Sequence, residues 1–147
     1  MKECPPAPSL QSPALGRPRW LDWRGSGCIL VVDDDAAIRM VITRTVARLG
    51  FTSSEAADGR QALEMFESDP GRYALVMLDF MLPGMDGLEI LSRLQRKRPD
   101  VRVILMSGLG KPDGVGELAG LPPTGFLQKP FLLEALVAEL RAVVDRV

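Results

Sequence analysis

Residues 75–89 read LVMLDFMLPGMDGLE, and the reading of this stretch decides the fold. Leu75 to Leu78 form a short, uninterrupted apolar run, the pattern of a strand buried on both faces in a parallel sheet. The run ends in a bare carboxylate, Asp79, and a Pro-Gly turn follows at Pro83 and Gly84. A charge at the mouth of a core is costly unless something there requires it.

The same alternation extends to both sides of that stretch. Upstream, CILVV at 28–32 is a second apolar run, and Asp35 to Leu49 carries Ile38, Val41/Ile42, Thr45/Val46 and Leu49 at helical spacing, with Gly50 as the stop. FTSSEA at 51–56 reads as a more polar strand, and Gly59 to Glu67 as a short helix with Leu63 and Phe66 inward, ending near Pro70-Gly71. Downstream, Gly87 to Lys97 presents Leu88, Leu91 and Leu94 on one face before Pro99, and VRVILMS at 101–107 is the fourth strand. The stretch 108–125, GLGKPDGVGELAGLPPTG, holds six glycines and three prolines, so only a short or mobile helix is expected there. FLQK at 126–129 is the fifth strand. Phe131 to Val147 closes the chain as a helix with Leu133, Leu136/Val137, Leu140 and Val143/Val144 on one stripe. Strand and helix alternating five times predict an α/β fold: a doubly wound, five-stranded parallel sheet with helices on both faces.

Composition fits one such domain: 147 residues, 46% hydrophobic and 25% charged. Residues 1–27 carry four Lys/Arg against two Asp/Glu, leaving a net −3 on 28–147, so neither part has the basic stripe that binding a phosphate backbone requires. Direct nucleic-acid binding is not expected. Cys4 and Cys28 have no CxxC spacing and the chain has no histidine, which argues against a structural zinc site and for reduced thiols. No apolar run approaches the roughly 18 residues of a membrane span, and MKECPPAPSL lacks a secretory h-region, so a soluble cytoplasmic chain without membrane contact is expected. Residues 1–27 hold five of the twelve prolines and end in Gly-Ser-Gly, which predicts a disordered tail or linker ahead of a domain at 28–147. Both tryptophans, Trp20 and Trp23, lie in this segment; rings docking loosely on the neighbouring domain are the plainer reading, and a partner-binding anchor the sharper one.

In an open parallel sheet, ligands bind beyond the carboxyl ends of the strands. The residues leaving those ends are Asp33 and Asp34, Asp79, Ser107, and Lys129 followed by Pro130. Three carboxylates at one rim repel one another unless a cation neutralises them, and an oxygen-only donor set favours magnesium. A metal short of ligands, a lysine and a small hydroxyl around a free carboxylate are the parts of a phosphoryl-transfer site with an aspartyl-phosphate product. Asp35 is read as a helix cap, and so is Asp86. Any one strand-end aspartate is unremarkable, but joint placement at four strand exits is not.

These pieces, ILVVDDDAAIR, LVMLDFMLPGMDGLE, VILMSG and FLQKPF, closely resemble the receiver domain of two-component response regulators over residues 29–147. The resemblance implies a flavodoxin-like fold of five strands and five helices, phosphorylated on one aspartate by a sensor histidine kinase or a histidine phosphotransfer protein. Asp79 corresponds to the phosphoacceptor. Asp34 would bind Mg2+ directly, Asp33 largely through water, and the Met81 backbone carbonyl would be the third protein ligand. Ser107 corresponds to the hydroxyl that bonds the phosphoryl group and Lys129 to the ammonium that neutralises it, with a cis peptide before Pro130. Phe126 holds the place of the aromatic switch residue, often Tyr in this family. The protein would be no enzyme in its own right, accepting a phosphoryl group and assisting only its own phosphorylation and dephosphorylation. WRGSG and GFLQKPF look like receivers at the C-terminus of hybrid sensor kinases. With no output domain after the fifth helix, the expectation is a receiver that stands alone or was detached from such a kinase, handing signal or phosphate to an unidentified downstream protein. Met81 and Leu109 beside the site predict slow hydrolysis. Two alternatives remain at this point. An aspartate-nucleophile phosphatase would need a second aspartate where Met81 stands, and a non-switching interaction module would fit the Gly/Pro-rich segment but not the intact set of polar residues.

Overall fold

The computed structural model describes residues 19–109 and 123–145. Five strands, β1 (Cys28–Val32), β2 (Thr52–Ala56), β3 (Tyr73–Asp79), β4 (Val103–Ser107) and β5 (Gly125–Gln128), pair in parallel in the order β2-β1-β3-β4-β5. Four helices are described: α1 (Ala36–Arg48), α2 (Gly59–Ser68), α3 (Gly87–Lys97) and α4 (Leu133–Val144). This is the flavodoxin-like doubly wound sheet, with its switch of strand order between β1 and β3. The helix expected within 108–125 falls largely outside the described residues.

Side-chain alternation along the central strands splits the core into two layers. Leu30, Val32, Val76, Leu78, Val103 and Leu105 point towards α2 and α3, where they meet Leu63, Phe66, Ile90, Leu91 and Leu94. Ile29, Val31, Leu75, Met77, Ile104 and Met106 point the other way, towards Ile42 and Val46 of α1 and Leu136, Leu140 and Val143 of α4. Every one of these side chains is buried, each worth roughly 1.5–3 kcal/mol of transfer free energy. Because β1, β3 and β4 are covered on both sides, they read as continuous apolar runs rather than alternating ones.

Three helices begin on an aspartate. The Asp35 carboxylate accepts the N–H groups of Ala37 and Ile38, Asp58 accepts that of Gln61, and Asp86 that of Leu88. Each satisfies amides that have no partner inside the helix, typically about 1 kcal/mol per cap. Gly50, at φ +104°, ends α1 in a conformation that side chains rarely adopt, and its N–H closes on the Ala47 carbonyl at 3.1 Å.

Two expectations are corrected. Val41, assigned to the core stripe of the first helix, is 44% exposed, and Leu133 of the last is 41% exposed. Each lies at the margin of its stripe, where 100° steps carry the side chain past the sheet contact. The second correction concerns the extended tail through residue 27. Arg19–Asp22 form a 3-10 turn that packs on α4, and Leu21 is buried among the residues of the α1/α4 layer. Trp23 lies 5.9 Å from Phe51, ring centre to ring centre, and the Gly25 N–H bonds the Leu49 carbonyl at 2.8 Å. Composition marks 19–27 as linker, yet its three large apolar residues find uncovered apolar surface at the end of α1 and α4. The described chain thus packs on the domain from its first turn, Arg19–Asp22, onward; residues 1–18 fall outside the described residues.

Candidate functional site

Strand register builds the site. Val32 is level with Leu78, so the next residues, Asp33 and Asp79, leave the sheet side by side; Asp79 is level with Met106, and Ser107 with Gln128, so Ser107 and Lys129 follow one step on. Backbone bonds extend the pairing past the strand ends, from Phe80 N–H to the Met106 carbonyl at 2.8 Å and from Lys129 N–H to the Ser107 carbonyl at 2.8 Å.

Asp33 and Asp79 are buried and Asp34 is exposed, and one carboxylate oxygen from each lies within 4.8 Å of the others. The Lys129 ammonium bridges the first two, 2.6 Å from Asp33 Oδ2 and 3.1 Å from Asp79 Oδ2. The remaining oxygens accept backbone amides: Asp35 N–H to Asp33 Oδ1 at 2.9 Å and Met81 N–H to Asp79 Oδ1 at 3.0 Å. Ser107 is buried, and its Oγ accepts the Leu109 N–H at 3.1 Å. The Lys129–Pro130 peptide is cis.

The electrostatics follow from this crowding. Burial pushes the Asp33 carboxyl above its ordinary value; the hydrogen bonds from Lys129 and Asp35 oppose the shift, and the Asp79 charge adds to it. For Lys129 burial works downward, but the hydrogen bonds to Asp33 and Asp79 outweigh it, and the ammonium is held above its ordinary value. One cation shared by two buried carboxylates, with a third alongside, leaves an excess of negative charge. The oxygen-only donor set with room for an outer ligand on the Asp34 side fits a hard divalent cation such as Mg2+.

The structure thus brings together Asp33, Asp34, Asp79 and Lys129, with Ser107 on the adjoining strand end. Met81 sits at the rim, its side chain 54% exposed, and Leu82 beneath it is buried while Gly84 turns the chain at φ +81°. Phe126 stands apart on β5. It is half-buried against the α2/α3 layer, and its N–H is held by Glu139 Oε2 at 2.9 Å. Between α1 and the start of α4, a cleft of about 520 Å³ opens beside the site, lined by Ala37, Ile38, Val41, Lys129, Pro130 and Phe131 among others. One contributor escaped the reading of the sequence: Arg39 donates from its guanidinium to the Asp33 carbonyl at 2.6 Å. Its signal was a cation in the first turn of a helix, where the helix dipole disfavours positive charge.

A family model for the response regulator receiver domain matches residues 29–141. The chain belongs to this family. Among curated proteins it is 40% identical over 121 residues to the response regulator MprA of Mycolicibacterium vanbaalenii, covering 80% of this chain and 50% of that protein. It is also 34% identical over 125 residues to the sensor kinase CckA of Brucella abortus, covering 85% of this chain and 13% of that one. The chain therefore spans half or less of the length of these relatives. Among solved structures it is similar to the chemotaxis response regulator CheY4 of Vibrio cholerae, with 29% identity and a TM-score of 0.70 over 81% of this chain and 99% of that one. The receiver domain of the hybrid histidine kinase CckA aligns with 29% identity and a TM-score of 0.67, over 81% and 100% of the two chains. Receiver domains are signalling modules of two-component systems and typically bind Mg2+ in an acidic pocket. Among the described residues no helix is long and apolar enough to cross a membrane.

Proposed function

We propose that this receiver takes a phosphoryl group onto Asp79 from a phosphohistidine of a sensor histidine kinase or histidine phosphotransfer protein. The observation that carries the reading is the Lys129 ammonium, poised between Asp33 and Asp79 at a strand-end rim. An Asp79 carboxylate oxygen forms the new P–O bond as the P–N bond to the donor imidazole breaks, and the electron pair stays on the departing nitrogen. Lys129 neutralises a phosphoryl oxygen, and the Ser107 hydroxyl, which is free to donate while its oxygen accepts the Leu109 amide, bonds another. Asp33, Asp34 and the Met81 carbonyl would hold Mg2+, which when bound would supply positive charge to screen the transferring group.

The donor is a protein whose surface must lie on the rim, since its phosphohistidine has to reach Asp79. The apolar cleft along α1, with Val41 and Phe131 on its walls, suits such a partner. Phe126 serves as the switch that passes the phosphorylated state towards a downstream protein. Phosphorylation by a small donor tests the reading directly: Mg2+-dependent labelling from acetyl phosphate is expected in the wild type and absent in Asp79→Asn. A folded, Mg2+-binding wild type that takes up no label would refute it.

A further inference from the structure

We infer that Arg39 is a positioning residue for the cation site, fixing the plane of the peptide between Asp33 and Asp34; this rests on reading the acidic rim as the receiver's metal site. Asp33 is held at four points. Its N–H bonds the Ala56 carbonyl at 3.1 Å, its two carboxylate oxygens accept Asp35 N–H and the Lys129 ammonium, and its own carbonyl accepts the Arg39 guanidinium at 2.6 Å. The first three bonds fix the Asp33 amide and side chain. The Asp35 N–H also holds the peptide that follows Asp34, and the fourth bond, from Arg39, acts on the peptide that leads into it.

That peptide matters because Asp34 has little else to orient it. Its side chain is exposed and, among the described residues, accepts no hydrogen bond, so its direction is set by the two peptides that flank it: the one after it is held by the Asp35 N–H on Asp33 Oδ1, and the one before it by Arg39. Rotating the Asp33–Asp34 peptide would swing the Asp34 Cα and carry its carboxylate away from Asp33 and Asp79, whose oxygens lie within 4.8 Å of it. The Asp33 carbonyl is the handle on that rotation.

The guanidinium is itself braced. Arg39 Nε donates to Glu55 Oε1 at 3.0 Å at the end of β2, while the terminal nitrogen reaches the Asp33 carbonyl. Two directions of donation from one rigid plane are what a guanidinium supplies and an ammonium does not. Glu55 also cancels the charge of Arg39, so the pair brings almost no net field to the acidic rim. Its effect on a bound cation is therefore through geometry rather than through repulsion of a second positive charge. Groups that orient metal ligands from behind typically alter affinity 10- to 100-fold when removed.

The test is titration calorimetry of Mg2+ into the full, unphosphorylated chain, with circular dichroism as the check of folding. Arg39→Ala is expected to raise the Mg2+ dissociation constant about tenfold or more. Arg39→Lys keeps the charge without the fork and should recover only part of the affinity. Arg39→Ala that folds and binds Mg2+ like the wild type, with only its Tm in EDTA lowered, makes Arg39 a fold stabiliser and overturns the proposal. Should Arg39→Ala not fold, Arg39→Lys decides: weakened binding supports the proposal, and unchanged binding overturns it. Because Mg2+ binding is read without phosphorylation, a chain that shows the Arg39 dependence but takes no label on Asp79 would sink the phosphoacceptor reading and leave this inference standing.

Discussion

Asp33 shows how one residue can sit at the heart of an acidic cluster and be a burden on the fold. Its carboxyl is buried and held above the ordinary carboxylate value, so its contribution to stability is present below the unfolded value of about 3.8 and is lost as pH rises through the folded one. At neutral pH, without metal, ionised Asp33 opposes folding even with Lys129 beside it. Asp33→Asn should therefore raise the Tm in EDTA at pH 7 by about 4 °C, the equivalent of ~1 kcal/mol in a domain of this size. The gap to wild type should close as pH falls through the raised folded value of Asp33 and the carboxyl takes up its proton. A variant no more stable than wild type at pH 7 would contradict the assignment of strain to this carboxylate. The side chains of Met81 and Leu109 carry the second prediction at this scale. They are 54% and 80% exposed beside the Asp79 rim, and neither has a group able to orient an attacking water. The Asp79 phosphate is expected to last well beyond seconds, as followed by loss of label after the donor is removed; decay within seconds would show that another group activates water.

Among the elements, strand ends and helix starts do the positioning. β1 stops with its apolar run, and β3 and β4 end on the first polar residue after theirs, so the sheet delivers Asp33, Asp79 and Ser107 to one edge, and Asp35 and Asp86 cap the helices that follow. The element that composition mislabels is the turn at Arg19–Asp22. Its worth is measurable through Leu21, which is 7% exposed within the α1/α4 layer. Leu21→Ala should lower unfolding stability by about 2 kcal/mol, at the low end for a buried leucine because the site is at the edge of the core. Urea denaturation followed by tryptophan fluorescence reads this locally, since the chain's two tryptophans, Trp20 and Trp23, flank the position. An unchanged midpoint would mean that the turn rests on the domain without holding it.

At the scale of the whole molecule, the two-layered core makes the rim rigid. Helices on both faces clamp β1, β3 and β4, and the charged residues have no freedom to leave one another except by movement of the loops that follow. The sequence by itself determined the alternation of strands and helices, because apolar runs and helical stripes are local patterns. It also determined which residues leave the strands at the ligand-binding edge, because parallel strands all expose the same end. Asp33, Asp34, Asp79, Ser107 and Lys129 were legible for that reason. Only the tertiary structure decided how those groups are paired. That Lys129 bridges Asp33 and Asp79, that Arg39 grips a carbonyl six residues behind it while bound to Glu55, and that Leu21 belongs to the core with Trp23 packed against it all depend on register and layer packing. Such contacts join residues distant in the chain, and no local period encodes them.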